Sequence, residues 1–335
     1  MKRIAFFFLA LALTLSLTAC TAPAEKADGR KLQIVTTLFP YYDFARAIAQ
    51  DRADVTLLLS PGREAHSFEP TPLDAVTISE ADVFLYNGGE GEYWVESMLG
   101  AAGKNIAVVA RMMDYVDALN EEYVEGMQGA DGHDHDHEHG SHDDHDHDHE
   151  EDEHDSDEIE YDEHIWTSPK NAVVLCRAVC DAICRADTEN AAFYRANCEN
   201  YCAQLEDLDA RFSALCESAP RRLLIFADRF PMLYFCREYG LDYRAAFHGC
   251  SGDTEPSLAT IKFLIDKVED ENIPVVYTID FGTKKVAAVV SECTGAAIET
   301  LYSMQTVSRA DFDAGETYLT LMERNFEALR KGLNA

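Results

Sequence analysis

The sequence is poor in positive charge: 28 lysines and arginines stand against 61 aspartates and glutamates, for a formal net charge of −33 and a pI near 4.5. That balance excludes nucleic acid and anionic lipid as electrostatic partners and favours cations. Catalytic signatures are missing as well. There is no His-Glu-x-x-His, no Gly-x-Ser-x-Gly and no glycine-rich phosphate loop. After residue 17 no apolar run approaches the roughly 20 residues that a membrane span needs. Outside one short stretch even histidine is scarce, leaving His66, His164 and His248.

That stretch, residues 129–160, holds His133, His135, His137, His139, His142, His145, His147, His149 and His154, alternating mostly with Asp and Glu. Imidazole is the commonest protein ligand for zinc, copper and nickel. With almost no apolar residues the segment cannot bury enough surface to fold, so it reads as a solvated loop that captures metal weakly and at several sites. It gives way to Tyr161-Asp-Glu-His-Ile-Trp166, where His164 opens an ordered-looking segment.

The N-terminus has the layout of a secretory signal. Lys2 and Arg3 precede the apolar run Ile4 to Leu17, and Leu17-Thr-Ala-Cys20 follows. A cysteine directly after a small-residue site resembles a bacterial lipobox. Residues 1–19 are then the signal peptide, Cys20 the lipidated first residue, and 20–31 a tether holding the protein outside the cytoplasm at a membrane surface. Nine further cysteines remain, an odd number. Cys176, Cys180 and Cys184, and likewise Cys198 and Cys202, repeat every four residues, the spacing of one helical stripe. Reduced thiols pack there as small apolar groups, although a cysteine metal site is the sharper alternative. A Cys250–Cys293 disulfide is left open by the sequence. So many thiols outside the cell fit a poorly oxidising habitat.

In order, the chain alternates short apolar runs with helical patterns, which argues an α/β fold with mainly parallel sheets covered on both faces. Strands are expected at Leu32 to Thr37, Val55 to Leu59, Asp82 to Tyr86 and Ile106 to Val109. A second set is expected at Leu223 to Ala227, Tyr243 to Phe247, Val275 to Ile279 and Ala297 to Leu301. Between the sets, Thr167-Ser168-Pro169 starts a helix, and Asp187-Thr188 restarts one that runs through Glu217. A helix of about 30 residues spans about 45 Å, which suits a rigid spine. The expected organisation is an N-terminal lobe (32–128), the His-rich loop (129–160), the end of that lobe with its helix (161–187), the linking helix (188–218) and a C-terminal lobe (219–335).

In parallel sheets ligands bind beyond the carboxyl ends of the strands. His66, His164, Asp228 and Asp280 fall at such points, and two imidazoles with two carboxylates make a workable set for zinc, or for manganese or iron with expanded coordination. Each has an ordinary alternative: the histidines exposed in loops, Asp280 capping the next helix, Asp228 pairing with Arg229. A zinc hydrolase built on His66, His164 and Asp280 would need an open coordination position and a nearby general base, and no motif supplies the base.

Two motifs carry a specific resemblance. Pro61-Gly62-x-x-x-His66-x-Phe68-Glu69-Pro70 and Asp162-x-His164-Ile-Trp166-x-x-Pro169 resemble those of the metal-binding proteins of zinc/manganese ABC importers. The likeness runs from about Leu32 to the C-terminus through Tyr86-Asn-Gly88, Trp94, Tyr239-Gly-Leu241, Ala245-Ala-Phe247 and Thr254-Glu-Pro-Ser257. An acidic His-rich loop resembles the zinc branch. The resemblance implies two (βα) lobes joined by a rigid backbone helix, with Zn²⁺ (alternatively Mn²⁺ or Fe²⁺) in the cleft. It implies delivery to an ABC permease with its ATPase subunit, a monomeric carrier and no enzymatic role. It places ligands at His66, His164 and Asp280. The family's third ligand, usually a histidine, has no counterpart: Arg229 fills that slot, Asp228 is the neighbouring substitute, and His248 is a further candidate. The family also includes proteins described as adhesins, a role that no pattern here encodes independently.

Overall fold

The computed structural model describes residues 30–65, 67–102, 106–127, 160–250 and 255–334. The signal segment, Cys20, nearly all of the His-rich loop and His66 lie outside the described residues. Two four-stranded sheets form the frame, and every pairing in them is parallel. The first contains β1 (Leu32–Thr36), β2 (Ala53–Leu57), β3 (Val83–Tyr86) and β4 (Val108–Arg111), in the order β2-β1-β3-β4. The second contains β5 (Leu223–Phe230), β6 (Asp242–His248), β7 (Val275–Ile279) and β8 (Ala297–Leu301), in the order β6-β5-β7-β8. The two sheets thus share one winding, and each has a switch point, between β1 and β3 and between β5 and β7, where ligands collect.

Helices α1 (Phe39–Ala49), α2 (Pro72–Ser79) and α3 (Trp94–Ala102) accompany the first sheet. Next come α4 (Pro169–Ala186) and α5 (Ala191–Ser218), followed by α6 (Leu233–Tyr239), α7 (Leu258–Asp270), α8 (Lys285–Thr294), α9 (Arg309–Ala314) and α10 (Tyr318–Leu333). Their starts follow local chemistry. Thr71 and Asp74 form a reciprocal capping box on α2, and Ser168, with Pro169 behind it, accepts from Asn171 N to open α4. The spine helix α5 begins at Ala191 rather than Asp187, because Asp187 accepts hydrogen bonds from Asn190 and Tyr194 in the connecting turn. The short α9, capped by Ser308, has too few residues to show a period and was not expected.

Burial explains why the halves hold together. Along β5, Ile225 and Ala227 face an outer cluster with Leu264, Val268 and Val290 of α7 and α8. Leu224 and Phe226 point the other way, into a large core. On β1, Val35 faces the outer cluster that includes Trp94, whereas Leu32 and Ile34 join the same large core. The inner faces of both sheets, α1, α4, α5, α6 and α10 therefore share one continuous apolar interior. Asp43 of α1, buried within it, accepts from Tyr201 Oη at 2.6 Å and from Tyr318 N at 2.9 Å, tying α5 and the start of α10 to α1. Its carboxylate also sits at the positive end of α10.

Candidate metal centre

His164 follows the isolated bridge Asn120–Tyr161 and leads through one 3₁₀ turn into α4. Its ring is buried, and Nδ1 lies 3.1 Å from Asp162 Oδ1, which also accepts His164 N at 2.7 Å. A carboxylate acceptor assigns the proton to Nδ1 and makes Nε2 the lone-pair nitrogen, the arrangement of a metal-ligating histidine. Burial alone disfavours the charged ring, but the Asp162 carboxylate outweighs it and the pKa is raised.

The backbone around this histidine is held from several elements. Asn87, in the turn after β3, donates to Glu163 O at 3.0 Å and accepts from Tyr41 Oη at 2.5 Å. Gly91 N donates to Glu163 Oε1 at 2.7 Å, and Tyr234 Oη of α6 donates to Asp162 O at 2.8 Å. Trp166 Nε1 donates to Ser303 O at 2.7 Å beyond β8. The Tyr86-Asn-Gly88 and Trp166 positions singled out in the sequence thus act together with Tyr234 to fix one imidazole.

The imidazole lines a small cavity together with Glu64, Arg229, Gly249, Ile279, Phe281 and Ser303. Asp280 follows β7, between the cavity-lining Ile279 and Phe281, and its Oδ1 accepts from Ser303 N at 3.2 Å. Burial is the main force pushing the Asp280 carboxyl up to about 7, and the Glu64 carboxylate adds to it. A buried acid so raised is one that a cation would ionise. Gly249 closes the opposite wall: a Cβ there would stand 2.9 Å from Phe230 O and 3.1 Å from His164 Nδ1 and Cε1. Only a glycine lets β6 run this close to the ring.

His164 lines this cavity, Asp280 is tied to its wall through Ser303, and Asp228 lines a neighbouring one. Between Phe226 and Arg229 the β5–β6 register slips by one residue, a bulge that re-aims the side chains after it. Asp228 consequently lines the neighbouring cavity with Ala227, Phe247, Gly282 and Val286. Its carboxylate accepts from Arg229 N at 2.9 Å and Ile279 N at 3.4 Å, so tightly against Gly282 that no side chain fits there. Arg229 instead reaches the His164 cavity and makes a two-pronged ion pair with Glu64, at 3.3 and 3.1 Å. His248 lies beside the cavity wall, one residue before Gly249, with Nδ1 3.7 Å from Glu121 Oε1 and its ring against Tyr123. Sequence reasoning missed Glu64, Arg229's partner, and the orienting role of Asp162. Their signal was position alone: each stands two residues before a motif histidine. Cys250 and Cys293 are free thiols.

Two like-wound parallel sheets on a shared helical interior, with a buried, oriented histidine in a cavity beside the second sheet, have the architecture of a two-lobed solute-binding protein. Comparison with known proteins agrees. Residues 34–332 match the family "ZnuA: Zinc-uptake complex component A periplasmic", and the chain belongs to that family. It is 32% identical over 99% of its length to the high-affinity zinc uptake system protein ZnuA of Bacillus subtilis, covering 98% of that protein. It is 29% identical to the zinc-binding lipoprotein AdcA of Streptococcus pneumoniae, but spans only 61% of that longer protein. Among solved structures, the metal-dependent lipoprotein YcdH of Bacillus subtilis superposes with a TM-score of 0.71 at 29% identity, covering 90% of this chain and 100% of YcdH. The Zn(II)-bound ZnuA-like domain of Streptococcus pneumoniae AdcA gives 0.71 at 25% identity, covering 91% and 100%.

Proposed function

We propose that this protein captures Zn²⁺ outside the cytoplasm and passes it to an ABC permease driven by its ATPase subunit. The ion is cargo, and no chemical step acts on it. The observation that carries this reading is the buried His164, held by Asp162 and lining a cavity whose wall includes Ser303, the residue whose N–H is accepted by Asp280. His66 joins them on the strength of its sequence motif. For the remaining position the sequence offers Asp228 and His248, and the cavity adds Glu64. Residues 1–19 act as a signal, Cys20 carries the lipid, and residues 20–31 tether the lobes at the membrane surface. The nine loop histidines raise the local supply of metal, each binding weakly.

A manganese-binding carrier is the second reading. It is favoured by the carboxylates Glu64 and Asp280 and by His164 being, among the described residues, the one histidine lining the cavity. Oxygen-rich sets suit harder cations. Competition of Zn²⁺ and Mn²⁺ against a chromophoric chelator, in the native chain and in Glu64→Gln, Asp228→Asn and His248→Ala, tests both. Zinc bound more tightly than manganese, with one of the three variants sharply weakened, supports the zinc carrier and names the ligand. Tighter manganese moves the protein to the other branch.

A further inference from the structure

Helices α4 and α5 carry a second cluster of metal-capable groups. Cys176, Cys180 and Cys184 on α4 face Cys198 and Cys202 on α5, and none of the five is more than 5% exposed. The sulfurs of Cys176, Cys198 and Cys202 all lie within 4.8 Å of one another. Cys198 and Cys202 are 3.8 Å apart, and Cys180 and Cys184 are 3.9 Å apart. Every one of these thiols is free.

Helical spacing and apolar packing account for the burial of the thiols. They do not require three sulfurs to converge from two helices. Thiolates that bind an ion at about 2.3 Å stand roughly 3.8–4.0 Å from one another, so the three sulfurs close on an ion by shifting less than about 1 Å. Cys198 is the hub. Its sulfur lies 3.8 Å from that of Cys202 and within 4.8 Å of that of Cys176. The thiolate is the ligand form.

We propose that Cys176, Cys198 and Cys202 form a second metal site for a soft d¹⁰ cation, Cu⁺ or Cd²⁺ on three sulfurs and Zn²⁺ with Cys180 as the fourth. The entering ion displaces the thiol protons, which leave to solvent, and no oxidant or reductant is consumed. Its effect is to cross-link α4 to the spine helix inside the interior that both sheets share. This site is independent of the cleft and of the zinc-carrier reading.

The test uses the full chain carrying His164→Ala, kept reduced and titrated with Cd²⁺ both as purified and after refolding with the ion present. Sulfur-to-cadmium charge-transfer absorption saturating at one ion per chain, a three-sulfur shell by X-ray absorption and a raised Tm are expected. Cys198→Ser should reduce the absorption to background, whereas Cys293→Ser, at an exposed thiol, should leave it unchanged. No sulfur band in either preparation overturns the proposal, as does a band that persists in Cys198→Ser. Should that variant fail to fold, fewer than three sulfurs around cadmium in the chain with all its cysteines overturns it equally.

Discussion

The two sheets share one strand order, yet they end differently. Beside the first sheet, Asn87, just after β3, spends its oxygen on Tyr41 and its nitrogen on Glu163 O, and the result is a fixed His164. The second finishes in carboxylates, with Asp228 at the bulge of β5 and Asp280 after β7. One side is a rigid mount, and the other presents acid groups that burial disposes toward the protonated form. Winding places the strand ends, and the side chains at those ends decide the chemistry.

The comparison breaks most sharply at the mount. His164→Ala should weaken zinc binding by about 1,000-fold, or about 4 kcal/mol, measured by chelator competition. An effect below tenfold would mean that the fixed imidazole is not a ligand. Asp280→Asn comes next. Zinc binding should fall by roughly 100-fold, while the metal-free protein, relieved of a buried acid, should melt no lower than the parent. A lower melting temperature would make Asp280 a structural group. Asp162→Asn sharpens the mount, because it keeps the shape and removes the charge that orients the ring. Loss of about 10-fold in zinc affinity is expected, and the His164 pKa should fall toward its ordinary value, as read by NMR titration.

The smallest effect concerns protons. Glu92, buried beside the turn after β3, and Asp280 are both pushed up to about 7, chiefly by burial, and the His164 pKa is raised. Groups that hold protons more tightly when folded stabilise the fold at low pH, and that contribution goes as the pH rises through the folded pKa. The metal-free protein should therefore lose stability between about pH 5 and pH 8, each pKa unit being worth about 1.4 kcal/mol at most. Zinc affinity should move the opposite way over the same window, because the ion competes with protons on Asp280 and His164. Thermal melts in chelator alongside zinc titrations at each pH check both signs.

Much of this was legible in the sequence. Apolar runs such as Val275 to Ile279 became strands with the expected ends, since a strand buried on both faces reads as a near-continuous run rich in β-branched and aromatic residues. His164 was readable because its motif packs the orienting Asp162 and the capping Ser168 within a few residues. The fate of Asp228 was not. Its direction depends on a one-residue slip between β5 and β6, and register against a partner strand is a tertiary property that a local pattern does not contain. The Glu64–Arg229 pair was hidden for a similar reason, as the two residues are 165 positions apart. The cysteine spacing on α4 and α5 showed a helical stripe, but only the packing of one helix on the other shows that three sulfurs meet.

On the proposed reading the protein has a single tight cation site at His164, independent of the His-rich loop. Calorimetric titration of Zn²⁺ into lipid-free protein lacking residues 129–157, with and without His164→Ala, tests it most directly. One tight zinc site that survives loop removal and disappears with His164→Ala is the predicted result. Zinc binding that vanishes with the loop, or that persists undiminished in His164→Ala, would contradict it.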